Sequence, residues 1–165
     1  MKLETVTVDG AITRAERLII PKLGEAHLDY ARDGCAPDLY LRANPDRLQQ
    51  VLLNLLTNAI KFTPAGGRIA IECSGDERVT QIAVRDTGCG IPPEHLGRIF
   101  EPFVQVDRNR IDSRQRGVGL GLAISRELIQ AMGGELSVTS EVGVGSVFTI
   151  SLSTAPLPKA AAVPA

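Results

Sequence analysis

The segment Leu48 to Phe62 (LQQVLLNLLTNAIKF) leaves this chain few ways to fold. Its apolar residues recur at helical spacing, and the length and pattern are those of a helix buried against a broad apolar surface. At about 100° per residue, Gln50, Asn54, Asn58 and Lys61 line up as one stripe on that helix. Asparagine is a mediocre helix former because its side chain competes for the local backbone. A merely solvated face would more often carry Glu, Lys or Arg. A row of neutral amides ending in one cation suits a magnesium-bound polyphosphate. The carbonyl oxygens of Asn54 and Asn58 can ligate a hard ion, while amide N–H groups and Lys61 can meet phosphate oxygens. A polar edge that only faces water would give the same stripe, so the helix alone does not decide.

The flanking sequence sets the layout. Asn44-Pro45-Asp46 opens the helix, proline suiting a first helical position, and Thr63 to Gly67 (TPAGG) closes it. Leu3 to Val8 alternates like a short strand. Asp9 is expected to cap a helix over Ala11 to Ile20 that stops near Pro21. His27 to Arg32 and Leu39 to Arg42 read as strands separated by turn residues. Arg68 to Cys73 and Val79 to Asp86 read as a hairpin around Gly75-Asp76, with Ile82 and Val84 facing the core. A short helical piece near Glu94 to Ile99 follows. A helix over Leu120 to Met132 ends at Gly133-Gly134. Glu135 to Ser140 and Ser146 to Leu152 pair across Gly143 to Gly145. The expected fold class is α/β (α+β): a mixed, largely antiparallel sheet with helices on one face. Residues 1–153 form this unit, and the Pro/Ala-rich tail 154–165 is expected to be disordered.

Composition removes several functions. The 165 residues suffice for one domain with a proper core. A net charge of −1 leaves no basic footprint for nucleic acid, and the absence of Trp weakens base stacking. No apolar run spans a bilayer and no signal peptide precedes the first strand, so this chain is expected to make no membrane contact. Cys35, Cys73 and Cys89 are scattered and odd in number, fitting neither zinc spacing nor a disulfide framework. A reducing cytosolic setting is therefore the expectation, with Cys89 incidental.

Two glycine clusters carry further chemistry. Asp86-Thr87-Gly88-Cys89-Gly90-Ile91-Pro92 directly follows a strand. A carboxylate at a strand end beside glycines can accept a hydrogen bond from an exocyclic amine while the backbone lies against a flat ring. Adenine offers that amine; guanine presents an acceptor there. An ordinary Asp-Thr-Gly turn is the competing reading. Gly117-Val118-Gly119-Leu120-Gly121-Leu122 runs into a helix whose free N–H groups and positive dipole end suit phosphate. It is neither a Walker A loop nor a dinucleotide fingerprint. Between the clusters, Phe100-Glu101-Pro102-Phe103 precedes a polar stretch to Arg116 whose length suggests a lid. Arg108, Arg110, Arg114 and Arg116 could swing onto phosphates from it.

Amide stripe, acidic glycine turn, FEPF, polar stretch and glycine-rich helix start, in that order, resemble the ATP-binding catalytic domain of sensor histidine kinases. That domain belongs to a superfamily shared with gyrase, heat-shock chaperone and mismatch-repair ATPases. The resemblance covers about residues 3 to 152 and implies a two-layer sandwich of about five strands and three helices. QVLLNLLTNAIKFTPAGG is similar to the family's N box. The resemblance implies that Asn58 ligates Mg2+, that Asn54 supports ion and phosphates, and that Lys61 contacts a phosphate. DTGCGIP is similar to the G1 box, implying Asp86 as adenine reader and Gly88, Gly90 and Ile91 as pocket wall. FEPF resembles the F box, placing Phe100 at the lid's anchor. GVGLGLAI resembles the G2 box, implying phosphate contacts from Gly117, Gly119, Leu120, Gly121 and Leu122, with Arg114 and Arg116 beside them. Gly143, Gly145 and Ser146 are similar to the small residues bordering the nucleotide. Arg116 stands where many relatives carry glycine, which implies a stiffer lid hinge.

The cofactors implied are ATP and Mg2+. The family's phosphoacceptor histidine lies on a dimerisation helix, and no segment here matches it. His27, read as a strand residue, and His95, in a short helix, both fit that role poorly. The expected partner is therefore a histidine-containing dimerisation domain, in the same parent protein or in trans, and indirectly a response regulator. A cytoplasmic location is implied, with a membrane anchor elsewhere in a parent protein left open. Two alternatives stand beside this phosphodonor: an ATP hydrolase of the same superfamily and a non-catalytic nucleotide-binding interaction module. The hydrolytic relatives carry a glutamate base where this chain has Asn54, and an amide cannot take that proton.

Overall fold

The computed structural model describes residues 1–102 and 121–156. Its elements run β1 (Glu4–Thr7), α1 (Val8–Glu25), β2 (Asp29–Asp33), β3 (Tyr40–Ala43), α2 (Pro45–Phe62), β4 (Arg68–Gly75), β5 (Val79–Asp86), α3 (Pro93–Leu96), α4 (Gly121–Ala131), β6 (Glu135–Glu141) and β7 (Gly145–Ser153). Five strands form the main sheet in the order β2-β4-β5-β7-β6, while β1 and β3 form a separate two-stranded ribbon. Among the described strands only β2–β4 is parallel; the other pairs are antiparallel. This is the expected mixed sheet, covered by α1, α2 and α4 lying side by side.

Strand alternation creates the core. Ile69 and Ile71, Ile82 and Val84, and Phe148 and Ile150 turn towards the helices and are buried. Arg68, Gln81 and Arg85 turn away. From above, α2 lowers Leu48, Val51, Leu52, Leu55, Leu56 and Ala59 onto that surface. Each large side chain so buried contributes about 1.5–3 kcal/mol. The helix begins where its sequence says: Asn44 caps it by accepting from the Arg47 N–H at 3.0 Å, and Pro45 fills the first turn.

Several expectations fail for identifiable reasons. Thr7, not Asp9, caps α1, its Oγ1 accepting from the Gly10 N–H at 3.1 Å. The helix also continues past Pro21 to Glu25. A proline inside a helix costs about 3 kcal/mol, but Ile19 and Leu23 on either side are 1% and 4% exposed. Burying both offsets that cost, and Pro21 itself lies at the surface. His27 is not in a strand: it turns the chain from α1 to β2 with a left-handed φ of 56°, its carbonyl accepting from the Gly66 N–H at 2.8 Å. The two short strands that the sequence indicates go to different sheets, β3 to β1 and β2 to β4.

The cysteine expectation is overturned. Cys35 and Cys73 are joined by a disulfide across 38 residues of sequence. Parallel pairing sets Asp33 opposite Glu72, so the chain leaving β2 passes directly over Cys73. Spacing rules that look for local patterns cannot see this. At the other terminus, Thr154 and Ala155 belong to the fold rather than to a loose tail. Thr154 bridges to Leu41, and Ala155 is buried with its N–H on the Tyr40 carbonyl at 3.0 Å. The rest of the proposed tail, from 157, lies outside the described residues.

Candidate functional site

The end of β5 supplies the carboxylate. Alternation that buries Ile82 and Val84 also buries Asp86, which is 8% exposed. Its Oδ1 accepts from the Gly88 N–H at 2.9 Å and the Ser146 N–H at 3.3 Å. Among the described residues nothing donates to Oδ2. Desolvation pushes its pKa up from the ordinary aspartate value, against the opposing pull of those two N–H groups.

The loop after Asp86 is held so tightly that only glycine fits at positions 88 and 90. A Cβ on Gly88 would lie 2.5 Å from the Phe62 carbonyl oxygen. Gly90, at φ 76°, presses on the Glu141 backbone. The Ile91 N–H donates to Ser140 Oγ at 2.7 Å, and Ser140 Oγ meets Ser146 Oγ at 2.7 Å. The β6–β7 turn closes over the loop through the Gly143 N–H on the Cys89 carbonyl at 2.9 Å. Asp86, Gly88, Gly90, Ile91 and Ser146 are thus brought together, with Gly143 and Gly145 beside them.

The last turn of α2 abuts this loop through Phe62, placing Asn58 and Lys61 next to it. Both are half-buried. Desolvation lowers the Lys61 pKa, and no carboxylate pairs with it among the described residues; its nearest aromatic contact is the Phe62 ring at 5.5 Å. Asn58 makes no side-chain hydrogen bond among the described residues. Asn54 is differently engaged. Its Nδ2 donates to the Gly121 carbonyl and to Ser125 Oγ, the latter at 2.8 Å. A Cβ on Gly121 would sit 2.5 Å from Asn54 Oδ1, so the glycine opening α4 is what admits that amide. Leu122 packs on the core edge. Gln50 of the stripe is exposed, paired among the described residues only with Arg47.

Phe100 stands edge-on to Phe148, ring centres 6.4 Å apart, with the Arg126 guanidinium 5.1 Å above it. Arg108, Arg110, Arg114, Arg116, Gly117, Gly119 and Leu120, and the lid reading itself, lie outside the described residues.

Ser125, Ser140 and Arg126 were not legible as site residues. The β6–β7 register sets Ser140 opposite Ser146, so the hairpin could have pointed to it. Ser125 lies one helical turn beyond Gly121, and nothing local distinguishes it. Among the described residues no group of three His, Cys, Asp or Glu could hold a metal. A hard ion here would rest on amide oxygens and on a ligand's own phosphates, and Asn58 together with Asn54 Oδ1 fits that donor chemistry. No described helix is long and apolar enough to cross a membrane.

Comparison with known proteins identifies the family. Residues 43–156 match the family described as histidine kinase-, DNA gyrase B- and HSP90-like ATPase. The sensor protein TorS of Escherichia coli is 48% identical over 123 residues, covering 72% of this chain and 13% of TorS. The sensor histidine kinase WalK of Bacillus subtilis is 36% identical over 146 residues, covering 86% of this chain and 24% of WalK. The chain thus spans under a third of the curated relatives it matches. The catalytic domain of histidine kinase ThkA superposes with a TM-score of 0.82 at 28% identity, covering 94% of this chain and all of that one. Full-length ShkA, solved with AMPPNP, gives 0.81 at 36% identity over 96% of this chain and 33% of ShkA. The chain belongs to the histidine kinase-, DNA gyrase B- and HSP90-like ATPase family, where it corresponds to the catalytic ATPase domain of sensor histidine kinases.

Proposed function

We propose that this domain binds Mg–ATP between the end of α2, the Asp86 loop and the start of α4, and donates the γ-phosphate to a histidine on a dimerisation domain. The observation that carries the reading is Asp86. One carboxylate oxygen is held by two backbone N–H groups, and the other is left to accept the adenine amine. Guanine would set a carbonyl oxygen against it. Gly88 and Gly90 keep the backbone flat beside the ring, and Ser146, tied to Ser140, fixes the far wall.

Lys61, half-buried with no carboxylate partner among the described residues, finds its counter-charge in a phosphate oxygen. The start of α4 adds the positive end of an 11-residue helix. Gly117, Gly119, Leu120, Arg114 and Arg116 complete the phosphate contacts in this reading. Asn58 and Asn54 Oδ1 would hold Mg2+, which when bound neutralises phosphate charge. Phe100 anchors the lid. The chain's share of the reaction is positioning and charge complementarity, as in other phosphoryl transfers. Asn54 has no basic atom to offer water, so hydrolysis is slow beside transfer.

ShkA was solved with AMPPNP, and a ThkA structure contains the response regulator TrrA. By analogy a response regulator receives the phosphoryl group after the histidine, in the ATP-supplied cytoplasm. The test mixes this chain with a histidine-bearing dimerisation domain and γ-labelled ATP. Label should pass to the partner's histidine and disappear with Asp86→Asn. Nucleotide binding with no transfer to any such domain would reduce the assignment to a binding module.

A further inference from the structure

The Cys35–Cys73 bond has no part in nucleotide chemistry. In the β4–β5 ladder Asp86 pairs with Ile69 and Ile82 with Cys73, so the bond lies four residues, about 13 Å, along the sheet from the adenine-reading rim. Cys35 sits in the connection from β2 to β3. Gly34, at φ 71°, lets that connection press directly on the Cys73 carbonyl. The same connection leads into the β1–β3 ribbon: the Leu39 carbonyl accepts from the Val8 N–H at 3.1 Å, and Tyr40 begins β3. Among the described residues the ribbon shares no ladder with the main sheet, meeting its backbone only at the Leu41–Thr154 bridge and the Ala155 N–H on the Tyr40 carbonyl. The disulfide ties the connection that leads into the ribbon covalently to β4.

We propose that Cys35–Cys73 is a thiol–disulfide exchange site, with a dithiol as its reductant, and that its state sets how firmly the β1–β3 ribbon is held to the sheet. Cys35 is only partly buried, whereas Cys73 is 8% exposed, so attack falls on the Cys35 sulfur. The attacking thiolate bonds to Cys35 and Cys73 leaves as a thiolate that takes a proton. The second thiol of the reductant then displaces Cys35, leaving a cyclic disulfide and two protein thiols. Two electrons pass from dithiol to protein, and a small-molecule disulfide reverses the reaction. The reduced state is accommodated as well. Cys35 Sγ lies 3.5 Å from the Asp33 carbonyl oxygen, a contact without a proton while the disulfide stands but a place for the S–H once it is broken. Cys73 then remains as a small apolar side chain in the core. In a compartment that supplies ATP, thiols are mostly kept reduced, so such a bond answers to oxidation rather than standing permanently.

The test uses the full chain, treated with oxidised or reduced dithiothreitol, then denatured, alkylated and weighed. The oxidised form should take one alkyl group and the reduced form three. Reduction should lower the melting temperature by roughly 10 °C and raise amide exchange across residues 34–43, while ATP affinity stays within about twofold. The Cys35→Ser/Cys73→Ser double variant should match the reduced form and ignore reductant, whereas Cys89→Ser should keep the response. Three alkyl groups after oxidation, or equal melting temperatures in both states, would overturn the proposal.

Discussion

Two aspartates stand at opposite ends of the β4–β5 hairpin, and their fates differ. Asp76, in the turn, is fully exposed, and its Oδ1 accepts from the N–H groups of Arg78 and Val79 at 2.7 and 2.8 Å. Those bonds hold its pKa below the ordinary value. Asp86 also accepts two N–H groups, yet burial outweighs them and its pKa rises. The contrast extends to the neighbours. At the Asp76 end, Thr80 is 0% exposed but satisfied: Thr154 gives its one proton to the Asp76 carbonyl at 2.8 Å, and Thr80 donates to Thr154 Oγ1 at 2.8 Å. At the Asp86 end, Asn58 and Lys61 are half-buried, and neither has a side-chain hydrogen bond or carboxylate partner among the described residues. Polar groups that are buried and satisfied hold a fold together. Buried polar groups with bonding capacity to spare tolerate a cost that a ligand removes.

The largest expected effect comes from Asp86→Asn. An amide can still accept from Gly88 and Ser146, but it places a donor where the adenine amine donates. ATP affinity should fall at least about a hundredfold by calorimetry, while the unliganded melting temperature holds or rises. Lost stability with intact affinity would make Asp86 architectural, like Thr80. Thr80→Val should do the reverse, costing about 1–2 kcal/mol of folding stability in urea titration with nucleotide affinity unchanged. Lys61→Met should weaken ATP about tenfold, hardly alter AMP binding, and leave the unliganded fold no less stable.

The smallest signal is the most diagnostic. Because the folded pKa of Asp86 is raised, the folded state binds more protons than the unfolded one between the two values, so its contribution to stability falls as pH rises through that window. For Asp76 the folded pKa is lowered, and its contribution is present above the ordinary value and lost as pH falls. Difference curves of stability against pH for Asp86→Asn and Asp76→Asn should therefore slope in opposite senses. ATP affinity should also decline on acidification at a pH above the ordinary aspartate range, and equal slopes would erase the distinction.

Much of this was legible in the sequence where the determinants are local. The Asn44–Pro45 start of α2, the Gly75–Asp76 hairpin and the glycine turn before β7 are each written within a few residues. Asp86 was legible because strand alternation with Ile82 and Val84 fixes its face. What escaped depends on tertiary packing. Pro21 reads as a helix stop until the burial of Ile19 and Leu23 is known. The parallel β2–β4 pairing, and with it the Cys35–Cys73 bond, joins segments that no local pattern links. Ser125 and Ser140 matter only because other elements bring Asn54 and Ile91 to them. Thr154 looks like the start of a loose tail until its bridge to Leu41 is seen.

Isothermal titration of the chain with ATP and GTP, each with and without Mg2+, tests the central claim most directly. Magnesium-dependent binding of ATP, with GTP weaker by at least about a hundredfold, is the expected result. Equal affinity for the two purines, or no binding of ATP in the presence of Mg2+, would contradict a pocket organised around Asp86.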